Sequence, residues 1–227
     1  RTTLGVLCRA QRRLDEAEVH YRGALTIQRA LGVRRYEGLT LLNLANVRRD
    51  LRAHEEARQL YAEACEVHRE LGHLRWEAAA LHNLAGMWLL AGEAVPAEEV
   101  LRRAIDVAKR GGELAMTAHI QHSLGYALHY QGELEAAEAA YAEAAGRLRG
   151  VDGRAATSAL GDVGAVLADQ DRIAESEEVL KDVRLKLQIP GCEALLQVLS
   201  LHEAHLLLAN ARAAGDPSDA VGYRAEV

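Results

Sequence analysis

The sequence contains no phenylalanine, and aromatic residues make up only 4% of its 227 positions. Without large ring wedges, a core must close through Ala and Leu, whose small volume lets helices approach one another closely. Cysteine is nearly as scarce. Cys8, Cys65 and Cys192 are odd in number, widely scattered and without metal-ligand spacing, which excludes a disulfide framework. They read as buried or idle thiols of a reducing compartment, and the chain is expected to be cytoplasmic. Long apolar runs are missing too: the most apolar stretch, 195–208, is broken by Gln197, His202, Glu203 and His205, so no window reaches the roughly 18 residues of a membrane span. An excess of positive charge is also absent. Lys and Arg number 27 against 33 Asp and Glu, a formal charge of −6, which argues against a nucleic-acid or anionic-membrane surface. The hydrophobic fraction of 49% excludes wholesale disorder. Arg1 opens the chain with neither Met nor a signal-like run, so the sequence reads as cut from a longer polypeptide.

Catalytic signatures are missing as well. There is no GxxxxGK[ST] phosphate loop, and no GxGxxG, GxSxG or HExxH. The expectation is a protein that is not an enzyme and carries no cofactor. Glu55-Glu56, Glu98-Glu99 and Glu177-Glu178 are read as first-turn acids that suit the positive end of a helix dipole. Arg12-Arg13, Arg34-Arg35, Arg48-Arg49 and Arg102-Arg103 are read as solvated faces, too widely spaced for a nucleic-acid stripe. The ten histidines include His119-x2-His122 and His202-x2-His205, each pair on one helix face. No Cys or carboxylate falls in register to complete a tetrahedron, and His129 lies about 10 Å along the axis from His122. No metal site is expected.

What the sequence does have is an internal repeat. Leu42-Asn43-Leu44-Ala45 returns as His82-Asn83-Leu84-Ala85 and again as His122-Ser123-Leu124-Gly125, each 40 residues on. Thr3-Leu4-Gly5 precedes the series in the same register, and Asp162-Val163-Gly164 follows it after 39 residues, a slip of one. A second motif travels at a fixed offset: Ala17-x3-Tyr21-x2-Ala24, Ala57-x3-Tyr61-x2-Ala64, Ala97-x3-Leu101-x2-Ala104 and Ala137-x3-Tyr141-x2-Ala144, with a degenerate copy in Ser176, Leu180 and Val183. Positions i, i+4 and i+7 share one helix face, so each motif is a packing stripe. The repeat is therefore two antiparallel helices, A and B. Gly92 and Gly132 fall between them, and Gly32, Gly72 and Gly112 follow helix B, where a left-handed residue ends a helix cheaply. Pro96 suits the first turn of a B helix, and Pro190 should close the fifth.

The Leu-Gly/Ala pair of helix A and the Ala-x3-Tyr/Leu-x2-Ala stripe of helix B resemble tetratricopeptide repeats. The 40-residue period exceeds the standard 34 because helix B is extended, as in Thr26–Gly32. This type is similar to the Leu-Gly-Asn-repeat adaptors, the kinesin light chain group and the arrays of bacterial regulators; an Arg-rich, Ala-rich composition also suits a bacterial source. The resemblance implies an all-α, right-handed α-α superhelix of antiparallel helix pairs, about 5.5–6 repeats, forming one solenoid domain over 1–227. Repeats are expected near 1–33, 34–73, 74–113, 114–152 and 153–190, with a partial one over 191–227. Helices are predicted near 1–11, 15–31, 34–51, 55–71, 74–91, 95–111, 114–131, 135–149, 154–169, 173–188 and 192–214, with part of another after 217.

The resemblance also implies a concave groove lined by the A helices. Its positions here are Arg9 in the first repeat, Asn43, Asn46 and Arg49 in the second, His82 and Asn83 in the third, and His122, Tyr126, His129 and Tyr130 in the fourth. Asn46 matches the Asn that holds an extended peptide backbone in the adaptors. The corresponding Val6, Gly86, Tyr126 and Ala165 depart from it, and the absence of Lys along these helices disfavours a carboxylate-clamp chaperone adaptor. Arg9 and Arg49 would favour an acidic segment at one end, Asp162 and Asp169 a basic one at the other. His122 and His129 would make affinity vary between about pH 5 and 8. A scaffold binding a peptide or helical segment of a protein partner is therefore expected, that partner being separate or another domain of the parent chain. The alternatives are a sensor or recruiting arm of a multidomain enzyme and a structural oligomerisation module.

Overall fold

The computed structural model describes residues 1–186 together with Ser200, His202 and Ala204. Ten α-helices follow one another: α1 (Thr2–Ala10), α2 (Leu14–Ala30), α3 (Arg34–Asp50), α4 (His54–Glu70), α5 (Leu74–Leu90), α6 (Ala94–Arg110), α7 (Leu114–Tyr130), α8 (Leu134–Leu148), α9 (Gly153–Asp169) and α10 (Ile173–Lys186). No strand occurs among the described residues. The all-α reading holds, and each end agrees with expectation to within two residues. Apart from Ser200, His202 and Ala204, the expected helix at 192–214 and the sixth repeat lie outside the described residues, as do Pro190, Cys192 and the segment after 217. No described helix is long and apolar enough to cross a membrane.

The chain packs as two compact units, Arg1–Ile120 and Gln121 onward. In the first, successive helices α1 to α6 pack against their neighbours; in the second, α9 packs against both α8 and α10. Odd-numbered helices are the A helices of the repeat and even-numbered ones the B helices. The stripe residues Ala17, Tyr21, Ala57, Tyr61, Ala97, Leu101, Ala137 and Tyr141 are all fully buried. The Gly or Ala of helix A explains how a ring fits there: a Cβ on Gly125 would stand 2.5 Å from the Tyr141 ring, and one on Gly164 2.5 Å from Leu180. Small residue and large stripe residue are therefore one packing unit within a repeat.

One turn geometry serves nearly every junction. The last carbonyls are closed by a bond from the third residue past the helix, as from Val33 N to Gln28 O (2.9 Å) and from Glu93 N to Trp88 O (2.9 Å). The residue between is left-handed: Gly92 has φ 76° and Gly132 φ 80°. The same place is taken by Arg12, Arg52 and Asp171 at φ 62°, 60° and 59°, side chains that carry the strain of that conformation. The one-residue slip between repeats falls at the α8–α9 junction. Here α8 has 15 residues where α2, α4 and α6 have 17, and the Asp152 side chain caps α9 by accepting from Ala155 N (3.0 Å).

Two charge readings are corrected. Glu55 and Glu56 lie in the first turn of α4, but Glu98, Glu99, Glu177 and Glu178 lie a turn deeper, because α6 begins at Ala94 and α10 at Ile173. Glu98 instead accepts from Arg102. Nor are the paired arginines simply solvated. Arg48 joins Glu18 on α2 (2.8 Å) to Glu56 on α4 (2.6 Å), and buried Glu37 is held by Arg29 (3.0 Å) and Arg34 (2.9 Å). Cys8 and Cys65 are buried free thiols, and burial pushes the Cys65 thiol up to about 12.

Candidate binding face

The residues expected to line a groove fall on the C-terminal halves of the A helices. In the first unit, Arg9 on α1 donates from Nε to Asp50 Oδ2 on α3 (3.0 Å), and Arg49 donates to Asp50 Oδ1 (3.3 Å). Two guanidiniums thus share one largely buried carboxylate. Beside them is a cavity of about 290 Å³ lined by Arg9, Asn43, Asp50 and Tyr21. The Tyr21 hydroxyl there is buried with no hydrogen-bond partner, because the first repeat has Val6 where the second has Asn46.

In the second repeat the slot is filled differently. The Tyr61 hydroxyl donates to Asn46 Oδ1 at 2.7 Å, and burial pushes that phenol up to about 12. Asn46 therefore spends its acceptor inside the protein and keeps its amide N–H groups for another contact. Asn43, His82 and Asn83 are half-buried along the same face.

The second unit gathers more of the expected residues. His122 Nε2 donates to Asp162 Oδ2 (2.6 Å), Tyr126 Oη to Asp162 Oδ1 (3.3 Å), and His129 Nε2 to Asp169 Oδ2 (2.7 Å). His202 Nε2 stands 3.5 Å from Asp162 Oδ1. Asp162 is 4% exposed, and a carboxylate so deeply placed needs donors of this kind. Asp162 and Asp169, the acids expected to favour a basic segment, are each bonded to an imidazole of the preceding A helix. The rings of His122, Tyr126 and His129 surround Tyr141, with centroids 5.5, 5.5 and 6.3 Å from it. Burial and the neighbouring Asp162 raise both the Tyr126 and Tyr141 phenols, which stay neutral. Tyr126 is nevertheless 45% exposed and Tyr130 72%: two rings at the surface, the first clamped from beneath. No group of three or more His, Cys, Asp or Glu side chains among the described residues is arranged to hold a metal.

Sequence reasoning took Tyr141 as core alone and missed the cross-helix pairs. A signal for them exists. Arg9–Asp50, His122–Asp162 and His129–Asp169 each join a slot on one A helix to the slot one further along the next, 41 residues on, or 40 across the slip.

A family profile described as tetratricopeptide repeat matches residues 1–70 and 36–110, and a second of the same description matches 117–149. No curated protein matches significantly. Among solved structures, the apo form of RapI superposes with TM-score 0.78 at 14% identity, covering 92% of this chain and 56% of RapI. The chain thus spans little more than half of that protein. A putative kinesin light chain repeat protein from Podosopora anserina gives TM-score 0.68 at 15% identity, covering 82% of this chain and 92% of the other. YrrB, described as a TPR protein with an unusual peptide-binding site, gives 0.60 at 16% identity over 89% of each chain.

Proposed function

Since the chain belongs to the tetratricopeptide repeat family, we propose that it is a protein-interaction scaffold whose A helices hold a peptide or helical segment of a partner. The observation that carries this reading is the state of Tyr126 and Tyr130. Both are exposed, one helical turn apart, and Tyr126 is fixed by Asp162 and by the edge of Tyr141. A ring already immobilised loses little freedom on binding, and Tyr is among the residues that dominate interface energetics. Asn43, Asn83 and the amide N–H groups of Asn46 supply the mixed donors and acceptors that an extended backbone needs. The peptide-binding site described for YrrB is in keeping with this use of the fold.

The test is a peptide array followed by titration of the selected peptide. Tyr126→Ala and Tyr130→Ala should each weaken binding by at least about 1 kcal/mol. Glu99→Ala, an exposed change on a B helix, should leave it unaltered. Loss with Glu99→Ala but not with the tyrosine variants would place the partner on the B helices and end this assignment.

A further inference from the structure

The partner segment can be given a charge. Resting on the peptide reading above, we infer that the stretch received by α7 and α9 is basic and lays an arginine side chain across Tyr126 and Tyr130.

Three observations converge. The first is the distribution of charge along the chain. Arg1–Ile120 carries 18 Lys and Arg against 16 Asp and Glu, whereas residues 121–186 carry 7 against 12. The second unit is thus the acidic one, and its field draws a cationic segment. Second, the same sign is concentrated on the A face. α7 has no Lys or Arg, and the only one on α9, Arg154, lies about 22 Å along the axis from Asp169. The slot that holds Arg9 and Arg49 in the first two repeats holds His129 in the fourth. Asp162 and Asp169 both sit on this face, and the Asp169 side chain keeps 26% of its surface exposed. Tyr130 and Asp169 end α7 and α9, so the negative ends of two helix dipoles fall there as well. Third, the exposed groups are aromatic. Tyr126 and Tyr130, 45% and 72% exposed, stand one turn apart. The Tyr126 hydroxyl donates to Asp162 (3.3 Å), which leaves its ring richer in electrons. A guanidinium stacks on such a ring and still turns N–H groups toward a carboxylate, which an ammonium does less well. An apolar side chain would cover the rings but leave the acids unanswered, and an acidic one would meet like charge.

The test uses the full chain at pH 8, above the range in which histidine charges. The probes are four fluorescein-labelled Gly-Ser nonapeptides carrying three Arg, three Lys, three Leu or three Glu. Anisotropy should show saturable binding of the Arg peptide, with the Lys peptide weaker and the Leu and Glu peptides weaker by at least about tenfold. Asp169→Asn and Tyr130→Leu, each shown to be folded by circular dichroism, should weaken the Arg peptide about fivefold. Glu135→Gln, which removes an exposed acid of α8, should not. An equal loss in Glu135→Gln would reveal a general field and no site. Equal binding of the Lys peptide, or unchanged binding in Tyr130→Leu, would remove the stacked arginine. Each of these results overturns the inference, as does the absence of saturable binding. Tighter binding of the Leu or Glu peptide, lost in Tyr126→Ala, would overturn it too while leaving the peptide reading intact.

Discussion

At the scale of single residues, the tyrosine of helix B shows how a repeat handles a buried hydroxyl. Tyr61 finds Asn46, whereas the hydroxyls of Tyr21 and Tyr141 have no partner. Removing the Asn46 side chain should therefore strand a third hydroxyl. Asn46→Ala is expected to cost about 1–3 kcal/mol in urea denaturation, and Tyr61→Phe less, since it removes the group rather than orphaning it. An adaptor-like Asn is legible in the sequence as a binding position; its bond inward is not, because that depends on which ring the neighbouring helix presents. His68 gives a pH signature. Above pH 6.5 it is neutral whether folded or unfolded. As pH falls below 6.5 the unfolded chain takes up a proton that the folded chain refuses down to about 4, so stability is lost across that window. The loss is on the order of 3 kcal/mol. Comparing wild type with His68→Leu at pH 7 and pH 4 should reveal it as a pH-dependent difference; a constant difference would contradict it.

Helices and turns were the most legible level. Two motifs in fixed register define both faces of each hairpin, and every stripe residue from Ala17 to Tyr141 is buried as the spacing implies. Less legible was the residue at the A-to-B turn. Glycine marks it in two repeats, but Arg12, Arg52 and Asp171 adopt the same left-handed conformation, because the closing hydrogen bonds, not the side chain, set the turn. Gly92→Ala should then cost about 1 kcal/mol, and Arg52→Gly should be neutral or stabilising by up to about 1 kcal/mol. Thermal unfolding of the two variants checks the pair. Ala137→Leu should cost about 1–3 kcal/mol through overpacking between helices; wild-type stability in that variant would contradict the register.

At the scale of the whole molecule, repetition does two jobs. It makes each hairpin bury its stripe against neighbours, and it sets matching slots side by side on successive A helices. The sequence therefore reveals which positions share a face. Whether a residue there is free for a partner was harder to read: Arg9, His122 and His129 are engaged with Asp50, Asp162 and Asp169, while Tyr130 stands clear. Those pairings are set by the one-slot offset between neighbouring helices, a property of packing that composition does not carry. The central claim is that the A helices receive the partner. Amide hydrogen exchange of the full chain, with and without a bound peptide, tests it most directly. Protection on A helices, α7 and α9 of the second unit or α3 and α5 of the first, is the predicted result. Protection confined to α4, α6, α8 and α10 would contradict it.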